Sequence, residues 1–479
     1  MLIGVLAIGL IGYAIFLACH ISGYAGGSDS SGYINSARLL AQGNVFAAPR
    51  VLPGHSAGEF GDFSVVPLGF TPRKPGLMAP TYPTGYPLQL IAGAAFGWAN
   101  AVLVVNLITV LSSGFLLFAY CRKLGLPSGL AGGGVVLLWA CPLYIFSAVQ
   151  PMSDLSALFW TLAALYCAHE ARDNWKWGVL CGASVGFAVL VRPTNLVLVV
   201  PVMAALGFSP RSWLPVASGG LPAAVFFCFY NWRAYGSPLV TGYGNVWGAF
   251  DPQYFVHNLA HFCRWIPVLL SPLIALAALA PFVAAGRQRG FALLVAWAFT
   301  LIGLYAFYYH SGETWWYLRF ILPAFPVLII AALTVLDAFW RANRSRLKPT
   351  PLIVAMLLLL AVGWQLKQLR GLDVLHTKES ERTYRDAAVW AEENLPADSA
   401  VFCMQVSGAL FSYTDFLLFR WDQIAPEKYG PLINAIHGQH RPIYAVLFPF
   451  ETISAHERIG GQWTKLATVG QATFWQRQP

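Results

Sequence analysis

The sequence predicts a polytopic α-helical membrane protein of about eleven transmembrane helices, with a small C-terminal extracytoplasmic α/β domain. Three observations carry that prediction. Of the 479 residues, 57% are hydrophobic and only 11% are charged, with a mean hydropathy of +0.57; soluble domains carry about 25% charged residues. Separate apolar runs recur as far as residue 369, each near the roughly 20 residues a helix needs to cross a bilayer. The composition then turns polar, and residues 373–479 hold twelve of the 21 acids. The expected division is a transmembrane domain over 1–372 and an extracytoplasmic domain over 373–479.

The first run, 2–22, lacks a basic start and a small-residue cleavage site, so it reads as a membrane helix and not as a signal peptide. A long loop follows over 23–90. It opens with "GGSDSSGYINSARLLAQGN", in which a short helix is expected from Ser31, with Tyr33, Ala37 and Leu40 on one side and Gly43 at its end. Further spans are expected at 98–121, 128–149, 152–171, 176–191, 193–207, 212–232, 263–285, 290–309, 318–340 and 351–369. The pair around Arg192–Pro193 is split by the proline. After the last span, a helix fits 380–394. Strands fit "AVFCM", "RPIYAVLF" and "KLATVG", and another helix fits "PLINAIHGQ".

Charge sets the expected orientation. With the N-terminus in the cytoplasm, short inner loops hold eleven Lys and Arg against three acids, and the longer outer segments before residue 367 hold eight against six. That bias supports N-inside and C-outside, a multi-pass protein of the inner (plasma) membrane. It also accounts for much of the net charge of +9 without a nucleic-acid partner. The eight cysteines show no CxxC spacing, so neither a disulfide framework nor a cysteine metal site is expected. His257 and His261 share helical i, i+4 spacing but lack the acid of an HExxH pattern.

Residues with chemical potential collect at the outer membrane edge. Asp29 follows the first span, Asp154 opens the fourth, Arg192 sits in "VLVRPTNL", and Arg319 lies in "TWWYLRFILPAFP". A charge beside an apolar span is costly unless it faces a cavity or a partner, so several on one face indicate a polar cleft. Bland roles remain open for each. Asp29 and Asp154 fit helix N-caps, Arg192 and Arg319 fit snorkelling interface residues, and Arg73 and Lys74 fit ordinary loop charges.

The order of these pieces resembles the GT-C membrane glycosyltransferases, particularly the dolichyl-phosphate-mannose–protein mannosyltransferase and aminoarabinose transferase group. The matching stretches are "SDSSGYINSARLLAQG", "PTYPTGYPLQLIAG", "MSDLSALFW", "LVRPTNLVLV", "NWRAYGSPLVTGYG" and "RFILPAFPVLI", within residues 1–340. The resemblance implies a polyprenyl-phosphate-linked sugar donor (undecaprenyl or dolichyl) and transfer on the outer face with inversion. Asp29 matches the family's first-loop aspartate, the candidate general base, and Asp154 matches its second acid. This loop has "SDS" where some members carry a paired "DE".

Donor-phosphate contacts are expected from Arg192 and Arg319, then Lys74 and Arg73, since arginine's fork suits a phosphate. Tyr33, Tyr82 and Tyr86 would line the substrate cleft. No dedicated metal site is read from the residues, although a pair of acids leaves room for a divalent cation (Mg or Mn). The acceptor would be a lipid, a glycan or a protein, in contact with membrane lipids and without nucleic acid. The competing expectation is a transporter or flippase of lipid-linked sugars, which would use the same cavity without a base.

Overall fold

The computed structural model describes residues 2–73, 76–172, 174–244, 246–283, 286, 289–343 and 350–478. Lys74, one of the expected phosphate contacts, lies outside the described residues.

The helical part runs α1 (Leu2–His20), α2 (Ser28–Ala41), α3 (Gly85–Gly93), α4 (Ala101–Lys123), α5 (Ser128–Ala140), α6 (Pro142–Ala148), α7 (Asp154–Glu170), α8 (Trp175–Val191), α9 (Val199–Leu206), α10 (Pro210–Tyr235), α11 (Phe255–Leu270), α12 (Arg289–Ala306), α13 (Phe325–Asn343) and α14 (Thr350–Gly371). Among the described residues, four helical stretches are long and apolar enough to cross a membrane, and six if each of two bent pairs is one span. Shorter apolar helices complete the bundle.

Proline decides where the expected spans break. The run expected at 128–149 bends by 63° between α5 and α6, at Cys141, whose extended backbone (φ −63°, ψ 122°) precedes Pro142. The run expected at 263–285 is not one straight crossing. α11 ends at Leu270, and the 3₁₀ stretch Pro272–Phe282 leaves at 109°. Ser271 takes a positive φ of 71° between them, and Pro272 has no N–H to continue the helix. At Arg192–Pro193 the expected split is present. A residue before proline is pushed out of the helical region, and Arg192 is extended (φ −146°, ψ 112°) between α8 and the 3₁₀ stretch Pro193–Leu198.

α8 and α10 meet backbone to backbone. Gly178, Gly182 and Gly186 recur every four residues along α8, so they share a face. A Cβ on Gly182 would lie 1.8 Å from the Val216 carbonyl oxygen, and one on Gly219 would lie 1.9 Å from that of Val179. Small residues at such spacing let membrane helices approach closely, where lipid provides no hydrophobic drive for association.

The long loop before α3 folds back on itself. α2 begins at Ser28, three residues earlier than the sequence suggested, and Gly27 is its N-cap. β1 (Phe70–Pro72) and β2 (Met78–Pro80) form a short antiparallel pair.

After α14 comes a region of helices α15 (Thr377–Asn394), α16 (Ser407–Tyr413), α17 (Tyr429–Gly438) and α18 (Pro449–Ile459). Its strands are β3 (Ala400–Cys403), β4 (Leu417–Arg420), β5 (Ile443–Leu447), β6 (Trp463–Val469) and β7 (Ala472–Arg477), in the order β4-β3-β5-β7-β6. β3 pairs in parallel with β4 and β5, and the β6–β7 hairpin joins antiparallel through β7. Alternate residues of β3 face opposite sides. Phe402 joins a core with Phe419, Leu432 and Ile436, and Val401 joins one with Ala388, Leu418 and Val446. The first of these cores also takes in Leu52, Phe60 and Val65 of the long loop, so loop and sheet share buried apolar surface.

The α8–α10 contact yields a stability prediction. Gly182→Ala forces the two backbones apart at a cost of about 1–3 kcal/mol, read as a lower thermal midpoint in detergent. Gly132→Ala, whose Cβ meets nothing within 4 Å, is expected to hold or raise the midpoint.

Candidate functional site

Two ion pairs form the centre of the site. Arg319 Nη1 lies 2.7 Å from Asp29 Oδ2, with side chains 14% and 24% exposed. Arg192 Nη2 pairs with Asp154 Oδ1, with side chains 12% and 2% exposed. The pairs are linked, because Arg192 Nη1 donates to the Arg319 carbonyl at 3.2 Å. Both guanidinium groups also lie 5.4 Å from the Phe320 ring centroid. Arg319 Nη1 lies 3.3 Å from Met152 Sδ. Its Nε is buried and has no hydrogen-bond partner among the described residues.

Local backbone explains how each group arrives. Arg192 leaves the end of α8 because Pro193 forces it extended. Arg319 sits in the 3₁₀ stretch Trp315–Ala324, which leads into α13. Asp154 is the first residue of α7, after the N-cap Ser153, and Asp29 is the second residue of α2. Neither N-cap residue makes a side-chain cap bond, and neither aspartate is itself the N-cap. The capping role open to both in sequence is therefore excluded, and their carboxylates are turned to the arginines. Their first-turn position still suits a negative charge against the helix dipole.

Tyrosines line one side. Tyr33 donates to Ser153 Oγ at 2.8 Å, which ties α2 to the start of α7. Tyr82 shares a 2.8 Å hydrogen bond with Ser28 Oγ, and its hydroxyl also reaches Asp29. The rings of Tyr82 and Tyr86 lie 4.9 Å and 5.3 Å from that of Tyr33. Tyr86 donates to Asn106 Oδ1 at 2.9 Å, and Asn106 in turn donates to the Ala148 and Gln150 carbonyls. Gly32 and Gly69 permit this packing. A Cβ on Gly32 would lie 2.4 Å from the Tyr82 ring, and Gly69 approaches Gly32 with a positive φ of 92°.

Burial at the membrane edge would raise a carboxyl pKa, and Asp29 shows the opposite. Burial does push its carboxyl upward, but Arg319, the Tyr82 hydroxyl and Arg192 together outweigh burial and hold it below the usual value. A carboxylate paired with a guanidinium is favoured in its charged form.

Arg73 does not join the central pairs. Its Nε donates to the Ala234 carbonyl at 3.1 Å and its Nη2 to the Tyr235 carbonyl, at the end of α10. Lysine and arginine often satisfy the last carbonyls of a helix in this way. A narrow cleft between Thr81, Thr84, Leu190, Pro193, Asn231 and Tyr235 lies nearby. His257 and His261 bond to the Gly312 and Thr314 carbonyls. Among the described residues, no group of three or more His, Cys, Asp or Glu side chains converges. The residues do not fit a divalent cation well, because each central acid already faces an arginine.

Sequence reasoning missed the contribution of the C-terminal region. Glu381 of α15 is 8% exposed and lies against Gly26 and Gly27 at the start of α2. Tyr413 accepts a hydrogen bond from the Ala25 amide at 2.9 Å. Asn35 donates to the Gly408 carbonyl, and Arg38 donates to Ser412 Oγ. These partners are hundreds of residues away in the chain, and nothing in local spacing announces them. Glu381, an acid among the polar residues of a helix, reads as solvated.

A family model described as dolichyl-phosphate-mannose-protein mannosyltransferase matches residues 89–231. No curated protein sequence matches the chain. Among solved structures, the chain is similar to ArnT from Cupriavidus metallidurans in the apo state, with a TM-score of 0.66 and 12% identity over 99% of this chain and 98% of that one. The same protein bound to undecaprenyl phosphate gives 0.63 and 12% over 98% and 97%. The Archaeoglobus fulgidus oligosaccharyltransferase tethered with an acceptor peptide gives 0.55 and 12% over 98% and 74%. The chain thus has the fold of the GT-C membrane glycosyltransferases, and its resemblance to the mannosyltransferase and ArnT-like group holds in structure over nearly its whole length and in sequence over residues 89–231.

Proposed function

We propose that this protein is an integral-membrane glycosyltransferase that moves a sugar from a polyprenyl-phosphate donor to an acceptor hydroxyl on the extracytoplasmic face, with inversion. The observation that carries the reading is the Asp29–Arg319 pair at 2.7 Å beside an Arg319 Nε that has no partner among the described residues. A base and an unspent phosphate donor lie side by side. The ArnT structure bound to undecaprenyl phosphate supports a lipid phosphate as the leaving group. The N-terminus lies in the cytoplasm, and the sheet domain lies outside the inner membrane.

The chemistry follows from the residues. The acceptor hydroxyl attacks the anomeric carbon from the face opposite the phosphate, and Asp29 takes its proton. The bond between the anomeric carbon and the phosphate oxygen breaks, and the electron pair leaves with the polyprenyl phosphate. Arg319 and Arg192 stabilise that developing charge where water is sparse. An arriving phosphate competes with Asp29 for the Arg319 guanidinium. Donor binding therefore loosens the ion pair and makes the carboxylate a stronger base at the moment it is needed. Tyr33, Tyr82 and Tyr86 form the wall on which a sugar ring stacks. Asp154 holds Arg192 in place.

The test uses purified protein in liposomes with a panel of undecaprenyl-phosphate sugars (mannose, glucose, arabinose, aminoarabinose) and a native membrane extract as acceptor. Sugar transfer with release of undecaprenyl phosphate is expected. Translocation of the intact donor without release would instead identify a transporter.

Asp29→Asn is expected to lower kcat by about 10²–10⁴-fold, the usual range for a general base, while the protein still inserts and folds. Near-normal turnover in this variant removes the base from Asp29. The pH profile gives an independent check. Asp29 works ionised and its carboxyl sits below the ordinary range, so the acid limb of activity lies below about 4. In Arg319→Gln the upward push of burial is less opposed. The acid limb of kcat/KM then moves to higher pH, and the donor KM rises. An unmoved limb would show that Arg319 does not hold the titrating group down.

A further inference from the structure

Among the described residues, Glu381 is the one carboxylate of the C-terminal region that reaches the turn that carries Asp29. It sits on the first half of α15, 8% exposed. Its Oε2 would lie 2.1 Å from a Cβ on Gly26, and its Oε1 3.6 Å from one on Gly27. The Ser30 hydroxyl and the Gly27 amide face it; they lie in the first turn of α2 and at its N-cap, where amides lack intrahelical partners. Oε2 itself has no hydrogen-bond partner among the described residues. A buried, half-satisfied carboxyl is costly, and no ion pair with Glu381 is found among the described residues.

We propose that Glu381 is a positioning residue through which the C-terminal domain seats the Gly26–Gly27 turn and holds Asp29 against Arg319. The proposal rests on the reading of Asp29 as the base. Other contacts support the same docking. Tyr413 accepts from the Ala25 amide at 2.9 Å, and Lys378 donates to the Cys19 carbonyl at 2.8 Å. Arg385 lies over the Tyr24 ring, and Gly408 abuts Ser31. Glu381 brings a carboxyl to the start of α2, beside the Tyr384 hydroxyl.

The groups around it fix the sign. Burial raises the Glu381 carboxyl to about 7, with Ser30 and the Gly27 amide pulling down and the Asp29 charge pushing up. Tyr384 on its own helix and Tyr413 on α16 both feel its charge, and Arg38 and Arg385 face Tyr413. A carboxyl raised by folding favours the docked state while protonated. That stability is complete below the ordinary value of about 4.5 and is lost as pH rises toward about 7. Ionised Glu381 also places a second negative charge beside Asp29. The neutral form therefore holds the turn.

The test follows release of undecaprenyl phosphate from the undecaprenyl-phosphate sugar panel by the full-length protein, against pH, for wild type, Glu381→Gln, Glu381→Ala, Gly26→Ala and Asp29→Asn. Wild-type kcat is expected to fall as pH passes about 7. Glu381→Gln keeps wild-type kcat at pH 6 and loses that limb. Glu381→Ala and Gly26→Ala, which remove or displace the carboxyl, lower kcat roughly 10–100-fold, as a misplaced group does, with donor KM unchanged. Wild-type kcat and an unaltered limb in the Glu381 variants, with Asp29→Asn inactive, overturn this inference alone. Turnover by Asp29→Asn overturns the base assignment on which it rests. If Glu381→Ala does not fold, the presence or absence of the limb in Glu381→Gln decides.

Discussion

Two arginine–carboxylate pairs at the ends of buried helices organise this molecule. Each partner alone would be hard to keep near a bilayer, because an isolated charge out of water costs several kcal/mol. Paired, they neutralise one another, and the Arg192–Arg319 carbonyl bond turns two pairs into one assembly. The pairs fix the start of α2, the start of α7, the end of α8 and the 3₁₀ stretch before α13 in one place. Four points that are remote in sequence are joined by charges that cannot separate cheaply. The tyrosines and Asn106 extend the polar lining, so the cleft is ordered before a ligand arrives.

The same pairing restrains the chemistry. A carboxylate held by a guanidinium is a stable anion and a poor base. Arg319 holds Asp29 in its charged form. The burial that would make Asp29 a stronger base is present, but Arg319 masks it.

Much of this was legible in the sequence, for reasons that differ by element. The apolar runs and the VRP and LRF stretches announced both arginines, since a proline after Arg192 breaks a helix in any context. Asp29 and Asp154 stood out as acids beside apolar spans. The helix at 380–394 and three of the five sheet strands were readable from local pattern. β4 and β7 were not, because a strand takes much of its identity from its neighbours on the sheet. The start of α2 was missed because no side chain caps it. The 109° bend after Leu270 hides in a run whose hydropathy is that of a straight span. Arg73 and Glu381 illustrate the deeper limit. Arg73 reads as a phosphate contact or a loop charge and Glu381 as solvated, and only long-range packing sends one to the end of α10 and the other to the start of α2.

The shared core of loop and sheet carries a consequence for the order of assembly. Asn35 and the Gly408 carbonyl it binds are 373 residues apart, and Leu52 and Phe60 pack on strands near the other end of the chain. Contacts of such separation form late, because the entropy of closing the loop comes before any reward. During synthesis, most of the helical bundle precedes the sheet out of the ribosome. The loop around Asp29 therefore waits, with its apolar residues uncovered, until the last hundred or so residues fold. Without those strands the loop would keep its aspartate yet lose the floor on which Leu52, Phe60 and Val65 pack.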